Sequence, residues 1–372
     1  MAEAYRFGIE EEYFLVDAQT KSPARAMPAA FLAEAKAATE GRVTSEFLQS
    51  QIEARTAPQF DMATAAAELR ELRQTLARIA ADHGLAIMAA GTHPTAAWVA
   101  ARQTQVARYD IVMDDLQMLG QRNMLCGLHV HVELPDPDDR IDVMTRMLPY
   151  LPLFVALATS SPFWQARPTG LKGYRLAAYD ELPRTGVPEL LRTTEEYDAY
   201  VAALVDAGVI EDSSYIWWAI RPSLRQPTLE LRAPDSCTRV EDSIAIAALY
   251  RTLARHLVRN PWRHADLGSV DRAVVMENKW RAQRYGIDGT FVDRVRGGIS
   301  VAGMLEQTIA EIERDARALG CLAEIEQCRT IAGSGTSADA QLEVFKRANG
   351  NEDNRRAALR AVTEWIAEAT LR

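Results

Sequence analysis

The sequence predicts an α+β fold, with one antiparallel sheet and helices packed on one face. Three observations predict it. Several short runs alternate apolar and polar side chains residue by residue, as half-buried strands do. Capped helical patterns lie among these runs without the strict strand–helix alternation that builds a parallel sheet. No glycine-rich phosphate loop follows any strand-like run, which disfavours a doubly wound fold. With 372 residues, 48% hydrophobic and 25% charged, the chain has ordinary globular composition and enough apolar material for a substantial core. A single domain over residues 1–372 is expected, its C-terminal part from about 295 helical.

In chain order, strand-like runs fall at Phe7–Val16, Phe47–Ala54, Ala86–Ala90, Met124–Leu134, Tyr215–Arg221 and Thr228–Arg232. The first clear helix is Asp61–His83, with an aspartate start, an Ala-, Leu- and Arg-rich interior and Gly84 as its stop signal. The second is Arg239–Val258, with Ile244, Ala248, Leu249 and Leu253 on its apolar face. Further helices are expected at 104–119, 139–158, 194–207, 271–285, 301–319 and 352–369. Segments 161–193 and 259–270, with many Pro, Gly and Arg residues, read as ordered loops near a site. Ala332–Ala338, rich in Gly and Ser, reads as a mobile loop.

Charge and cysteine usage narrow the function classes. Lys plus Arg number 42 against 51 Asp plus Glu, a net charge of −9, and no basic run occurs, so nucleic acid is excluded as a partner. An anionic nucleotide remains compatible, because metal ions and a few arginines can reverse the potential inside one cleft. Cys126, Cys237, Cys321 and Cys328 form no CxxC pair, so neither a zinc site nor a disulfide framework is suggested, and a reducing cytoplasm is the expected compartment. Met1–Tyr5 runs straight into the first strand without a basic start, and no segment approaches the ~18 apolar residues of a membrane helix. Export and membrane insertion are not expected.

Four runs carry chemistry. In Gly8-Ile9-Glu10-Glu11-Glu12-Tyr13, strand alternation puts Glu10 and Glu12 on one face with Ile9 and Tyr13 on the other. Two carboxylates so placed repel unless a divalent cation sits between them; a solvated acidic strand face is the plainer reading. In Gly127-Leu128-His129-Val130-His131-Val132-Glu133, the two histidines and Glu133 share a face that suits a metal or a phosphate. In Thr228-Leu229-Glu230-Leu231-Arg232, Glu230 and Arg232 face outward, either as a cross-strand ion-pair ladder or as a metal ligand beside a cation for a transferring phosphoryl group. The run Glu46–Glu53 places Gln49, Gln51 and Glu53 together. Arg221 suits a substrate carboxylate, or a structural role. Lys279, Arg281 and Arg284 lie on a helix, where they reach nucleotide phosphates or simply solvent. If the four runs pair into one sheet, their polar faces form a continuous floor of Glu, His and Arg, suited to metal ions clamping ATP phosphates.

These motifs, with Gly91-Thr92-His93-Pro94, Ser160-Ser161-Pro162-Phe163-Trp164, Ile220-Arg221-Pro222-Ser223 and Glu277-Asn278-Lys279-Trp280-Arg281-Ala282-Gln283-Arg284-Tyr285-Gly286, occur in an order that resembles the YbdK-type carboxylate–amine ligases, the family-2 glutamate–cysteine ligases. The resemblance implies a glutamine-synthetase-like fold, a curved antiparallel sheet of about six strands with helices on its convex face. It implies an ATP-dependent ligase that activates a carboxylate as an acyl phosphate and transfers it to an amine, with magnesium or manganese. Its partners would be amino-acid carboxylates and amines, and homo-oligomerisation fits. By position in the motifs, Glu10, Glu12, Glu53, His129 and Glu230 would hold metal. Arg232 and His131 would lie at the transferring phosphate, with Lys279 and Arg284 on the nucleotide, and Arg221 on the carboxylate substrate. Glu46 would bind metal or orient the amine. The competing readings are a metal-dependent hydrolase and a non-catalytic nucleotide-binding module on the same fold. On the ligase reading, Glu230→Gln is expected to cut turnover by orders of magnitude and leave folding nearly intact, its charge being used by metal.

Overall fold

A computed structural model describes residues 5–349 and 351–372; residues 1–4, part of the segment expected to lead into the first strand, lie outside it. The strands are β1 (Phe7–Asp17), β2 (Val43–Ser45), β3 (Gln51–Arg55), β4 (Leu85–Met88), β5 (Leu128–Glu133), a small pair of β6 (Phe163–Trp164) and β7 (Arg167–Pro168), then β8 (Ile220–Pro222), β9 (Thr228–Leu231) and a second small pair of β10 (Thr290–Phe291) and β11 (Ile299–Ser300). Seven of them form the main sheet, in the order β2-β3-β1-β5-β9-β8 with β4 also on β1, and every pairing is antiparallel. The α+β expectation therefore holds, and β1, the longest strand, is its axis.

One face of the sheet makes the main core. Phe7 and Ile9 of β1, Leu128, Val130 and Val132 of β5, and Leu229 and Leu231 of β9 are buried there against the helix Val240–Arg259. The other face is polar over β1, β3, β5 and β9, but its far end is apolar: Phe14, Val16 and Met88 pack with Phe163 and with Phe345, Leu359 and Val362 of the C-terminal helices. Helices thus cover the convex face as expected, and the last two also close one end of the concave face.

Within β1, Glu11 points to the core and is fully buried. It survives there because Arg73 of the helix Met62–Asp82 meets it with two parallel hydrogen bonds, Nε to Oε2 at 2.9 Å and Nη2 to Oε1 at 2.6 Å. The Tyr13 and Ser243 hydroxyls donate to the same carboxylate. Arg73 also donates to the carbonyls of Cys237, Thr238 and Thr370, so one guanidinium ties the sheet, two helices and the C-terminal end together.

Several expectations need correction. The run Phe47–Ala54 is a strand only from Gln51; Glu46–Ser50 is a turn closed by the Gln51 amide on the Leu48 carbonyl (3.0 Å), and it links β3 to the unforeseen β2. In Tyr215–Arg221 only the end is strand, because Ser213–Tyr215 winds into a 3₁₀ turn capped by Asp212. The expected helix 139–158 is broken by Pro149 and Pro152 into Arg140–Met147 and Leu151–Leu157, with a 3₁₀ turn between. The helix Ala29–Ala38 has no counterpart in the sequence reading, whereas Leu322–Ser334 and Ser337–Arg347 fill in the C-terminal part expected to be helical. Ala332–Ala338 is no mobile loop but a helix–helix junction built into the core. Gly335 takes a positive φ of 102°, and Thr336 pairs with Thr159 (2.8 Å), Ser337 with Thr238 (2.5 Å) and the Ala338 amide with the Thr159 carbonyl (3.0 Å). Segment 259–270 borders a different cavity, beside Tyr150 and Glu311. All four cysteines are free and buried, and no helix among the described residues is long and apolar enough to cross a membrane.

Removing one partner of the Glu11–Arg73 pair strands the other charge in the core. Glu11→Ala is expected to lower stability by about 3–5 kcal/mol; an unchanged urea-unfolding midpoint would contradict it.

Candidate active site

Strand register assembles the site. Glu12 of β1 lies directly opposite Glu53 of β3, and Glu10 lies between Arg55 of β3 and His129 of β5. One step on, His131 of β5 faces Glu230 of β9, which faces Arg221 of β8. Five strands thus place side chains on one floor. It lines an open cavity of about 450 Å³ that holds Glu10, Glu12, Glu46, Glu53, His129, His131, Arg221, Glu230 and Arg232 together.

The distances mark a tight cluster. His129 Nδ1 is 3.8 Å from Glu10 and 3.9 Å from Glu230, and its Nε2 is 3.7 Å from Glu12. His131 Nε2 is 3.5 Å from Glu10 and 4.0 Å from Glu230, while its Nδ1 meets the Thr228 hydroxyl at 2.9 Å. Glu12 is aimed by the Gly127 amide, which donates to its Oε2 at 2.6 Å. Glu46 accepts from the Phe47 amide at 3.1 Å.

Charge is unbalanced across this floor. Burial, then the carboxylates of Glu10, Glu46 and Glu12, push Glu53 well above the usual carboxylate range, and burial with Glu12 pushes Glu46 up to about 7. On the opposite side, Arg232 and Arg221 overcome burial and hold Glu230 far below that range. Burial and Arg232 push His129 down, whereas Glu230 and Glu10 outweigh burial and raise His131. Carboxylates that face one another across adjacent strands destabilise a sheet, and a divalent cation converts that cost into binding.

The residues fit such a cation. Two groups bring their ligand atoms within 4.8 Å of one another, Glu10–His129–Glu230 and Glu12–Glu53–His129. His129 Nε2 and His131 Nε2 are buried without hydrogen-bond partners, as ring nitrogens left for a ligand would be. Carboxylate oxygen with one imidazole suits magnesium or manganese.

Five expected residues are placed differently from the reading of the sequence. Arg221 donates Nε to Glu230 at 2.7 Å and Nη1 to the carbonyls of Ser214 (3.2 Å) and Ile216 (2.8 Å), so its fork is spent on holding Glu230 and is not free for a substrate carboxylate. Lys279 is buried against Asp180, and Arg284 is exposed over the Tyr285 ring; neither lines the cavity. Gln49 and Gln51, expected beside Glu53, bond instead to the carbonyls of Gln103 (3.0 Å) and Leu125 (2.7 Å).

Other residues border the cleft without a role expected from the sequence. A second lobe of the cleft, which Arg232 also borders, is walled by Phe47, Tyr109, Tyr179 and Trp217, with Arg108 and Arg175. Arg55 stands opposite Glu10, on the rim. Tyr179 and Arg175 fall in segment 161–193, whose composition signalled a site without naming residues. Arg108 and Tyr109 sit on the helix Ala107–Leu116, in which no residue is buried, so no periodic pattern marks them.

The profile of glutamate–cysteine ligase family 2 matches residues 6–364. The chain belongs to that family. A Bradyrhizobium protein (strain ORS 278) provisionally named glutamate–cysteine ligase 2 is 54% identical over 367 residues, 99% of this chain and 88% of that protein. One of the same name from Rhodospirillum rubrum is 45% identical over 378 residues, 99% and 96% of the two chains. The glutamate–cysteine ligase of Francisella tularensis, solved in complex with AMP, matches with a TM-score of 0.70 at 13% identity, over 99% of this chain and 89% of its own. A bifunctional glutathione synthetase from Pasteurella multocida gives 0.68 at 15% identity, over 99% of this chain and 53% of that one. At these identities the two structures speak for the fold alone. As a member of the family the chain is an ATP-dependent carboxylate–amine ligase, and the hydrolase and binding-module readings are not favoured.

Manganese added to metal-free protein is expected to bind and to raise the unfolding temperature, and Glu10→Gln/Glu12→Gln is expected to abolish both effects. Equal stabilisation of the double variant would remove the pair from the metal site.

Proposed function

We propose that the chain couples an amino-acid carboxylate, the γ-carboxylate of glutamate being the family's named case, to an amine in an ADP-forming reaction. The observation that carries this is the shared floor of Glu10, Glu12, Glu53, His129 and Glu230 with Arg232 at its edge. A carboxylate oxygen of the substrate bonds to the γ-phosphorus of ATP as the bond to ADP breaks, giving an acyl phosphate. The amine nitrogen then bonds to the acyl carbon and inorganic phosphate leaves.

Each protein group has a part. Glu10, Glu12, Glu53, His129 and Glu230 would hold magnesium or manganese, which when bound neutralises and aligns the triphosphate. Arg232, bonded to Glu230 at 2.5 Å, supplies a fixed cation for charge on the transferring group. His131, raised by Glu230 and Glu10, adds a second donor on the same side. Arg221 is a positioning residue that keeps Glu230 charged and oriented. Glu46, at the junction of the two lobes, is placed to receive the ammonium of the amine. No side chain on the floor reads a thiol, so the choice of amine belongs to the walls.

A screen of amino-acid carboxylates against amines tests the proposal. ADP is expected only when metal, carboxylate and amine are all present, with the amide identified by mass spectrometry; no ADP from any pair would sink it. Glu230→Gln is expected to lower turnover by about a hundredfold or more. The structure revises its effect on folding: this carboxylate is buried between Arg221 and Arg232, so the variant should also lose about 1–3 kcal/mol of stability. Full activity or unaltered stability would refute the respective half.

A further inference from the structure

The motif Gly91-Thr92-His93-Pro94 lines neither lobe of the cleft. Its histidine is fully buried, and burial pushes the imidazole down to about 4, so the ring is neutral. His93 Nε2 donates to the Lys21 carbonyl at 2.8 Å, and Nδ1 accepts from the Thr95 amide at 3.2 Å. The ring is thus a clip between the loop after β1, where Lys21 holds a positive φ of 55°, and the segment after β4. A second fastening runs beside it. The Gln49 amide donates to the Arg102 carbonyl at 2.9 Å, and the Thr104 amide to the Phe47 carbonyl at 2.8 Å. Segments 18–25 and 95–104 and the turn Glu46–Ser50 are held together in this way.

The three segments border a cavity of about 210 Å³ that shares no lining residue with either lobe of the cleft. Its charge is of one sign. Arg25 and Arg102 line it and no acidic side chain does, and among the described residues neither guanidinium makes an ion pair or a hydrogen bond. Exposed arginines by themselves are ordinary surface, but this cavity also has a polar lining. Ser50 lines it, is only 5% exposed, and has an Oγ buried without a hydrogen-bond partner. A buried hydroxyl left unsatisfied is costly, and a ligand oxygen that meets it removes the cost. Ser22 and Thr95 add hydroxyls, while Pro23, Ala96 and Met124 add apolar wall. Unpaired guanidinium groups and hydroxyl donors with no carboxylate among them make a receptor for an oxyanion. The volume suits a ligand of several heavy atoms rather than a lone water.

We propose that this cavity is a second ligand site, which takes a small organic oxyanion, its phosphate or carboxylate group held by Arg25 and Arg102 together with the Ser50 hydroxyl. The site lies back to back with the cleft. Glu46, Phe47 and Gln51 line the cleft, whereas Gln49 and Ser50, between them in sequence, line this cavity. Met124 likewise lines it between the cleft residues Asn123 and Leu125. A ligand here therefore braces the turn that presents Glu46 without touching a reactant. Because the site draws on none of the residues of the cleft, it stands apart from the ligase reading.

The test titrates the full-length chain calorimetrically with inorganic phosphate and, separately, with succinate, each with and without a non-hydrolysable ATP analogue and magnesium. At least one anion is expected to bind while nucleotide is present, and the tighter of the two identifies a phosphate or a carboxylate source. Arg25→Gln and Arg102→Gln, both surface changes, are each expected to weaken that binding by about threefold, and the double variant by about tenfold or more. The bound anion is also expected to slow hydrogen exchange of the amides in 46–51 and 95–104, an effect absent from the double variant. Binding that nucleotide displaces belongs to the cleft and overturns the proposal. So does equal affinity in the double variant, or failure of both anions to bind. Intact anion binding beside a failed ADP screen would remove the ligase reading alone.

Discussion

The strict two-residue period of β1 is the constraint on which the rest depends. Three glutamates in a row cannot share a face, and Glu11 is drawn into the core by Arg73. That anchors Glu10 and Glu12 to the opposite face. A slip of one residue would bury two carboxylates without partners and expose the one that has them. Because every neighbouring strand is paired against β1 or against β5 beside it, the positions of Glu53, His129, His131 and Glu230 all follow from this one choice.

The floor so produced has a built-in electrical division. Toward β3, carboxylates crowd one another and Glu53 and Glu46 are pushed up; toward β9, Arg221 and Arg232 saturate Glu230 and push it down. His129 stands at the boundary, with one ring nitrogen toward each side. Charge-neutralising chemistry on a polyanion needs such a gradient, with cation sites and fixed guanidinium groups within one reactant's length of each other.

Much of this was legible in the sequence because faces are local properties. Alternation alone assigned Glu10, Glu12, His129, His131, Glu230 and Arg232 to polar faces, and the structure brings all six to one cavity. Partners were not legible, since pairing is long-range: nothing in the run around Arg221 says that Glu230 will claim its fork, or that Asp180 will claim Lys279. β2, three residues long, is too short for a pattern. The glycines and serines of Ala332–Ala338 serve a close helix junction as readily as a loose loop, and composition does not distinguish the two.

The walls are a different matter from the floor. Arg108, on a helix with no buried residue, reaches across to the Ser214 hydroxyl at 2.8 Å and stacks on Tyr215 at 4.8 Å, so a surface helix leans on the turn whose Ser214 carbonyl also accepts from Arg221 of the sheet. The helix half of that arch can therefore be rewritten cheaply, because new side chains on it leave the register beneath untouched. Enzymes that keep this floor and diverge in substrate are the natural outcome of such a division of labour.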